Sequence, residues 1–126
     1  MKPELLFVDD SETMRQFLGS YFAKNYQVHT AANAKEAWAW LEAGHSPVMA
    51  VLDLKMPEVT GLELLSQLRA SERFSELPVI ILSSEENSQE RLKCLQIGAV
   101  DYMVKPFNPK ELEHRIQFYI KLCRAM

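Results

Sequence analysis

Apolar residues alternate along the chain between two kinds of pattern. Short β-type runs occur at Leu5-Leu6-Phe7-Val8, Gln27-Val28-His29-Thr30, Val48 to Leu52, Val79-Ile80-Ile81-Leu82 and Val100 to Val104. The first, third and fourth are almost continuously apolar, as expected of strands buried on both faces in a parallel sheet covered by helices. The second alternates, which places it at a sheet edge.

Helical patterns fill the gaps. Met14, Phe17, Leu18, Tyr21 and Phe22 follow i, i+3, i+4, i+7, i+8 spacing and predict one apolar face. Four later segments open with capping-box pairs: Asn33 with Glu36, Thr60 with Glu63, Asn87 with Glu90, and Asn108 with Glu111. In each, the first side chain can accept from an orphan backbone N–H while the Glu reaches back. Pro109 suits a first turn, and Gly98 suits a left-handed C-terminal cap. Trp38 and Leu41 share a face expected to pack on the sheet, which leaves Trp40 as a surface aromatic. The core face of the last helix is expected to be Leu112, Ile116, Tyr119 or Ile120, and Cys123. Phe118 and Leu122 are left over, either partly buried or forming a self-association or partner patch.

The resulting order is strand–helix five times. Parallel strands need crossovers, and right-handed crossovers place helices on both faces of one sheet. The prediction is one α/β domain over residues 1–126, a doubly wound five-stranded parallel sheet with five helices.

Composition narrows the function. The 126 residues carry 17 acidic and 14 basic side chains, a net charge of -3, so no net positive field attracts nucleic acid or an anionic membrane. No apolar run is long enough to span a bilayer, and the start of the chain does not read as a signal peptide. Cys94 and Cys123 have no metal-ligand spacing and read as two reduced, partly buried thiols of a cytosolic protein.

The chemistry lies where strands end. In open α/β sheets, ligands bind beyond the carboxyl ends of the strands, where strand order reverses. The first strand ends in Asp9-Asp10, the third in Asp53, the fourth in Ser83-Ser84 and the fifth in Lys105-Pro106. Any one of these fits a turn or a helix cap. Delivered together, three carboxylates, a hydroxyl and an ammonium share one rim. Clustered carboxylates repel one another and imply a compensating cation. An all-oxygen donor set without histidine favours Mg2+ or another hard divalent ion over zinc.

These residues, in order and at these separations, resemble the receiver domain of bacterial two-component response regulators over essentially the whole chain. The resemblance is carried by Asp9-Asp10 after LLFV, Asp53 in VLDLKMPEVTGLELL, Ser83 at the end of VIILSS, and Tyr102, Lys105 and Pro106 in GAVDYMVKPF. It implies a flavodoxin-like strand order 2-1-3-4-5 and a phosphoprotein with Asp53 as phosphoryl acceptor. It implies a magnesium ion held by Asp9 or Asp10 with Asp53 and the backbone carbonyl of Lys55. Lys105 and Ser83 would contact the phosphoryl oxygens. Tyr102 would turn inward, biasing a surface formed by the fourth helix, fifth strand and fifth helix. Pro106 would follow a cis peptide. Gly61 would allow close backbone approach in the helix after Asp53.

By the same resemblance, the phosphoryl donor is a sensor histidine kinase or a histidine phosphotransfer protein. It would dock near Ser11, Met14, Arg15 and Leu18 of the first helix and at Pro106-Phe107. A homodimer or a downstream effector would use the switched surface. No DNA-binding segment is expected, and the chain reads either as a stand-alone cytoplasmic receiver or as the front of a longer regulator. The domain would catalyse only its own phosphorylation and dephosphorylation. Lys55 and Glu85, each two residues beyond a site residue, are expected to pair across the mouth. Two other classes fit less well. An aspartyl-phosphate phosphohydrolase generally needs an acid where Lys55 stands, and a flavodoxin-like cofactor binder needs a phosphate-cradling loop where Asp9-Asp10-Ser11-Glu12 is acidic. A degenerate receiver acting only as a scaffold is opposed by the complete residue set.

Overall fold

The structure, a computed structural model, describes residues 2–124, with side chains described through residue 123. Met1, Ala125 and Met126, the ends of the anticipated 1–126 range, lie outside the described residues. The elements run β1 (Glu4–Val8), α1 (Glu12–Phe22), β2 (Gln27–Ala31), α2 (Ala34–Glu42), β3 (Met49–Asp53), α3 (Gly61–Ala70), β4 (Val79–Ser83), α4 (Ser88–Ile97), β5 (Asp101–Val104) and α5 (Pro109–Arg124). All strand pairs are parallel, in the order β2-β1-β3-β4-β5. The alternating second run is an edge strand, as its pattern requires.

Alternation within the strands divides the core in two. Leu6, Val8, Ala50, Leu52, Val79 and Ile81 face one side, with Leu41, Leu64, Leu68 and Cys94 of α2, α3 and α4. Leu5, Phe7, Met49, Val51, Ile80 and Leu82 face the other, with Leu18 and Phe22 of α1 and Leu112, Ile116 and Ile120 of α5. The central strands are thus apolar on successive residues because both faces are covered. Fully burying one such side chain contributes roughly 1.5–3 kcal/mol.

Several local expectations change in three dimensions. Phe17 does not share the buried face of α1. It stands 42% exposed beside Tyr21, while Leu18 and Phe22 carry the packing. Leu18 is therefore unavailable for docking. Cys123 is exposed rather than part of the α5 core, because α5 outlasts the strand it covers. Only Thr60 and Glu63 form a reciprocal capping box. Asn33 and Asn87 cap by their side chains, but Glu36 accepts from the Ala32 N–H and Glu90 faces the Asn87 amide. The Asn108 side chain accepts from the Lys110 N–H, and Glu111 pairs with Arg115.

Trp40 is not a free surface aromatic. Its indole lies parallel to the imidazoles of His29 and His45, at 4.5 and 4.3 Å between centroids. His45 Nδ1 is 2.8 Å from Glu4 Oε2, and Arg73 donates to the His45 carbonyl. These contacts fasten the end of α2 to the edge of the sheet. Trp38 packs edge-on against Phe74 and donates its Nε1–H to Gln67. Arg69 reaches from α3 to the carbonyls of Phe74, Leu77 and Gly98. Gly98, at φ +125°, ends α4 against that guanidinium, leaving no room for a Cβ.

Burial and the neighbouring His45 ring hold His29 below its ordinary pKa, against the opposing pull of Glu36 and Glu4. A histidine with a lowered folded pKa takes up its proton more readily when unfolded. Its contribution to stability is complete above the unfolded value of about 6.5 and is lost as pH falls from there toward the folded value. Urea midpoints of the wild type should therefore drop below neutrality, and His29→Gln should drop less over the same window.

Candidate functional site

The parallel topology brings the site together. The chain leaves β1 outward to β2 and then returns across to β3, so connections diverge between β1 and β3 and open a crevice at their carboxyl ends. Val8 pairs with Leu52, and Asp53 with Leu82, which levels the three strand ends. Asp9 follows β1, Asp53 ends β3, Ser83 ends β4 and Lys105 follows β5.

Asp9 is buried and well anchored. Its Oδ1 accepts from the Ser11 N–H at 2.9 Å, and its carbonyl accepts from Arg15 at 2.8 Å. Asp10 is exposed at the lip, and Asp53 is 7% exposed. The three carboxylates offer oxygens that all lie within 4.8 Å of one another. Lys105 Nζ lies 3.0 Å from Asp9 Oδ2 and 3.3 Å from Asp53 Oδ1. Its peptide bond to Pro106 is cis.

Burial, then the Asp9 charge, push the Asp53 carboxyl up to about 6, with Lys105 pulling the other way and Asp10 adding to the rise. Burial lowers Lys105, but its bonds and charge interactions with Asp9 and Asp53 outweigh it and leave the ammonium above its ordinary value. One ammonium thus neutralises part, not all, of the local negative charge. The remaining oxygens form a hard, all-oxygen donor set that fits a divalent cation such as Mg2+.

The loop after Asp53 is held close. Leu54 N–H donates to the Leu82 carbonyl, and Gly61 N–H to the Leu54 carbonyl. A Cβ at Gly61 would collide with the Asp53 carbonyl oxygen and lie 2.9 Å from Leu54 Cα. The close approach expected of Gly61 is therefore made against the backbone of Asp53 itself. Lys55 Nζ meets Glu85 Oε1 at 2.5 Å, as expected from the spacing.

Ser83 is 1% exposed, and its hydroxyl is engaged with its own loop. It donates to the Glu85 carbonyl at 3.0 Å and accepts from the Glu85 N–H at 3.2 Å. Tyr102 is 3% exposed and turned inward. Its hydroxyl donates to the same Glu85 carbonyl at 3.2 Å. This shared acceptor, like the Arg15 contact to Asp9, is a main-chain oxygen that no sequence pattern announces.

Comparison with known proteins agrees with this geometry. The chain matches the model of the response regulator receiver domain over residues 5–117. It belongs to the response regulator receiver family. Similar proteins include the chemotaxis protein CheY1 of Helicobacter pylori, 36% identical over 116 residues that cover 90% of this chain and 94% of that protein. The response regulator Rre1 of Synechocystis is 37% identical over 111 residues, 86% of this chain but 48% of that longer protein. Among solved structures, the chemotaxis response regulator CheY4 of Vibrio cholerae aligns with a TM-score of 0.85 at 30% identity, over 93% of this chain and 98% of that one. The receiver domain of the Francisella response regulator 1452 aligns with a TM-score of 0.87 at 32% identity, over 97% and 99%. This receiver therefore has the flavodoxin-like fold of chemotaxis receivers and takes part in two-component signalling. Among the described residues, no helix is long and apolar enough to cross a membrane.

The raised Asp53 makes a pH-dependent prediction for this receiver. A carboxyl whose folded pKa exceeds its unfolded value stabilises the fold below the unfolded value of about 3.9, and loses that contribution as pH rises through the folded value. Without divalent ions, Asp53→Asn should be more stable than wild type at pH 7.5 by about 1–2 kcal/mol. The difference should shrink steadily as pH falls through about 6. Thermal denaturation across that range measures it.

Proposed function

We propose that this receiver accepts a phosphoryl group on Asp53 from the phosphohistidine of a sensor kinase or a histidine phosphotransfer protein. The observation that supports it best is the convergence of Asp9, Asp10 and Asp53, with the Lys105 ammonium between the two buried carboxylates. An Asp53 oxygen attacks phosphorus as the donor's N–P bond breaks, leaving an acyl phosphate on Asp53 and a free imidazole on the donor. Asp9, Asp10, Asp53 and the Lys55 carbonyl would hold Mg2+, which when bound neutralises charge on the incoming phosphoryl oxygens.

The other residues act on the product. Lys105 is already in the crevice and offers its ammonium to one phosphoryl oxygen. Ser83 exchanges the Glu85 carbonyl for another phosphoryl oxygen. Tyr102 reports that exchange to the surface of α4, β5 and α5. The two helices of that surface carry exposed apolar side chains, Leu92 and Leu95 on α4 and Phe118 and Leu122 on α5, which suits a downstream effector or a second copy. The donor docks at the start of α1, near Ser11, Met14 and Arg15, and at Pro106-Phe107. Residues 1–126 form one receiver unit that works in the cytoplasm and catalyses only its own phosphorylation and dephosphorylation.

Exposure to a small phosphodonor with Mg2+, followed by intact mass, tests the proposal. A gain of one phosphate is expected in the wild type and none in Asp53→Asn, whereas equal modification of both would move the acceptor elsewhere.

The Lys55–Glu85 pair stands over the phosphoryl position and limits the approach of water to the acyl phosphate. Lys55→Ala and Glu85→Ala should each shorten the lifetime of phospho-Asp53 several-fold, as followed by loss of the phosphorylated mass after donor removal. Half-lives equal to wild type would remove this role.

A further inference from the structure

Glu85 makes two kinds of contact with two different parts of the site. Its carboxylate is paired with Lys55, in the loop that leaves Asp53. Its carbonyl accepts from both the Tyr102 and the Ser83 hydroxyls. The residue sits two residues beyond the end of β4 at Ser83 and two before Asn87, whose side chain caps α4. The Ser83 hydroxyl also accepts from the Glu85 N–H, so the peptide groups on both sides of the Glu85 Cα are held by one side chain. Releasing the carboxylate from Lys55 would therefore remove one of the restraints on the residue that presents this carbonyl to Tyr102.

We infer that the Lys55–Glu85 ion pair is a latch that holds Tyr102 in its inward position, making Lys55 a positioning residue for the surface of α4, β5 and α5. The ordering of the partner surface then depends on a side chain from the phosphoacceptor loop as well as on Ser83. One residue's side chain and main chain bridge two elements, and a loop of only four residues, 84–87, joins β4 to α4.

The expected size is modest. Both partners are about half exposed, 54% and 57%, and an exposed ion pair shifts an equilibrium by at most about fivefold. That is enough to change how often Tyr102 visits an outward position, and too little to unfold the loop. An exposed pair is also screened by salt, which supplies a control within the wild-type protein. The functional consequence rests on the reading of Tyr102 as a switch residue; the latch itself does not need phosphorylation.

The test uses the full chain without phosphodonor. The four tyrosines are replaced biosynthetically by 3-fluorotyrosine, and the Tyr102 fluorine resonance is identified by its loss in Tyr102→Phe. Lys55→Met and Glu85→Ala should each move that resonance toward the solvent-exposed position and raise its solvent isotope shift, by an outward population about two- to fivefold above wild type. Lys55→Arg should keep the wild-type resonance. Salt at about 1 M should move the wild type toward the variants and leave Lys55→Met unmoved. A Tyr102 resonance that is the same in wild type, Lys55→Met and Glu85→Ala would overturn the latch, as would a shift in the variants that salt does not reproduce in the wild type. Failure of Asp53 to take a phosphate would refute the phosphoacceptor reading and leave this result intact.

Discussion

Like charges in a partly dry crevice dominate this molecule. Asp9 and Asp53 are brought together by the adjacency of β1 and β3, and burial makes their mutual repulsion expensive. Lys105 answers it from across the sheet, at the end of β5. The remaining deficit is visible in Asp53, which burial and Asp9 hold near 6 despite the ammonium beside it. A rim left short of positive charge is suited to recruit it from solution. The fold exists in a form that tolerates this cost because the rest of each central strand is apolar on both faces.

Much of that arrangement is legible in the amino-acid sequence. Runs such as VIIL and LLFV, too short for helices and set between helical patterns, read as strands covered twice, and Gln27 to Thr30 betrays an edge by its polarity. The end of each central strand then names its chemistry, since parallel strands all finish on one side. Apart from Lys105, the candidate site residues are short side chains fixed directly to strand termini, so knowing the strand is nearly enough to know the candidate site.

What stays hidden depends on where elements end and on main-chain atoms. Cys123 fits the inward face of α5 by periodicity, yet the helix runs past the sheet and the thiol meets water. Phe17 belongs to the apolar stripe of α1 by spacing, yet only a narrower part of that stripe faces the sheet. The reciprocal capping predicted four times is completed once, because glutamates near other donors take them instead. The Glu85 carbonyl, where Ser83 and Tyr102 converge, has no side-chain signature at all.

The half-buried guanidinium of Arg69 carries a mechanical meaning for α4. It ties the carbonyl of Gly98, at the far end of that helix, to the turn following α3, while the near end is joined to β4 only through four residues. A rod bolted at one extremity and tethered by a short string at the other swings rather than slides. Displacements of α4 would then be greatest over the crevice and fade toward the opposite pole of the domain.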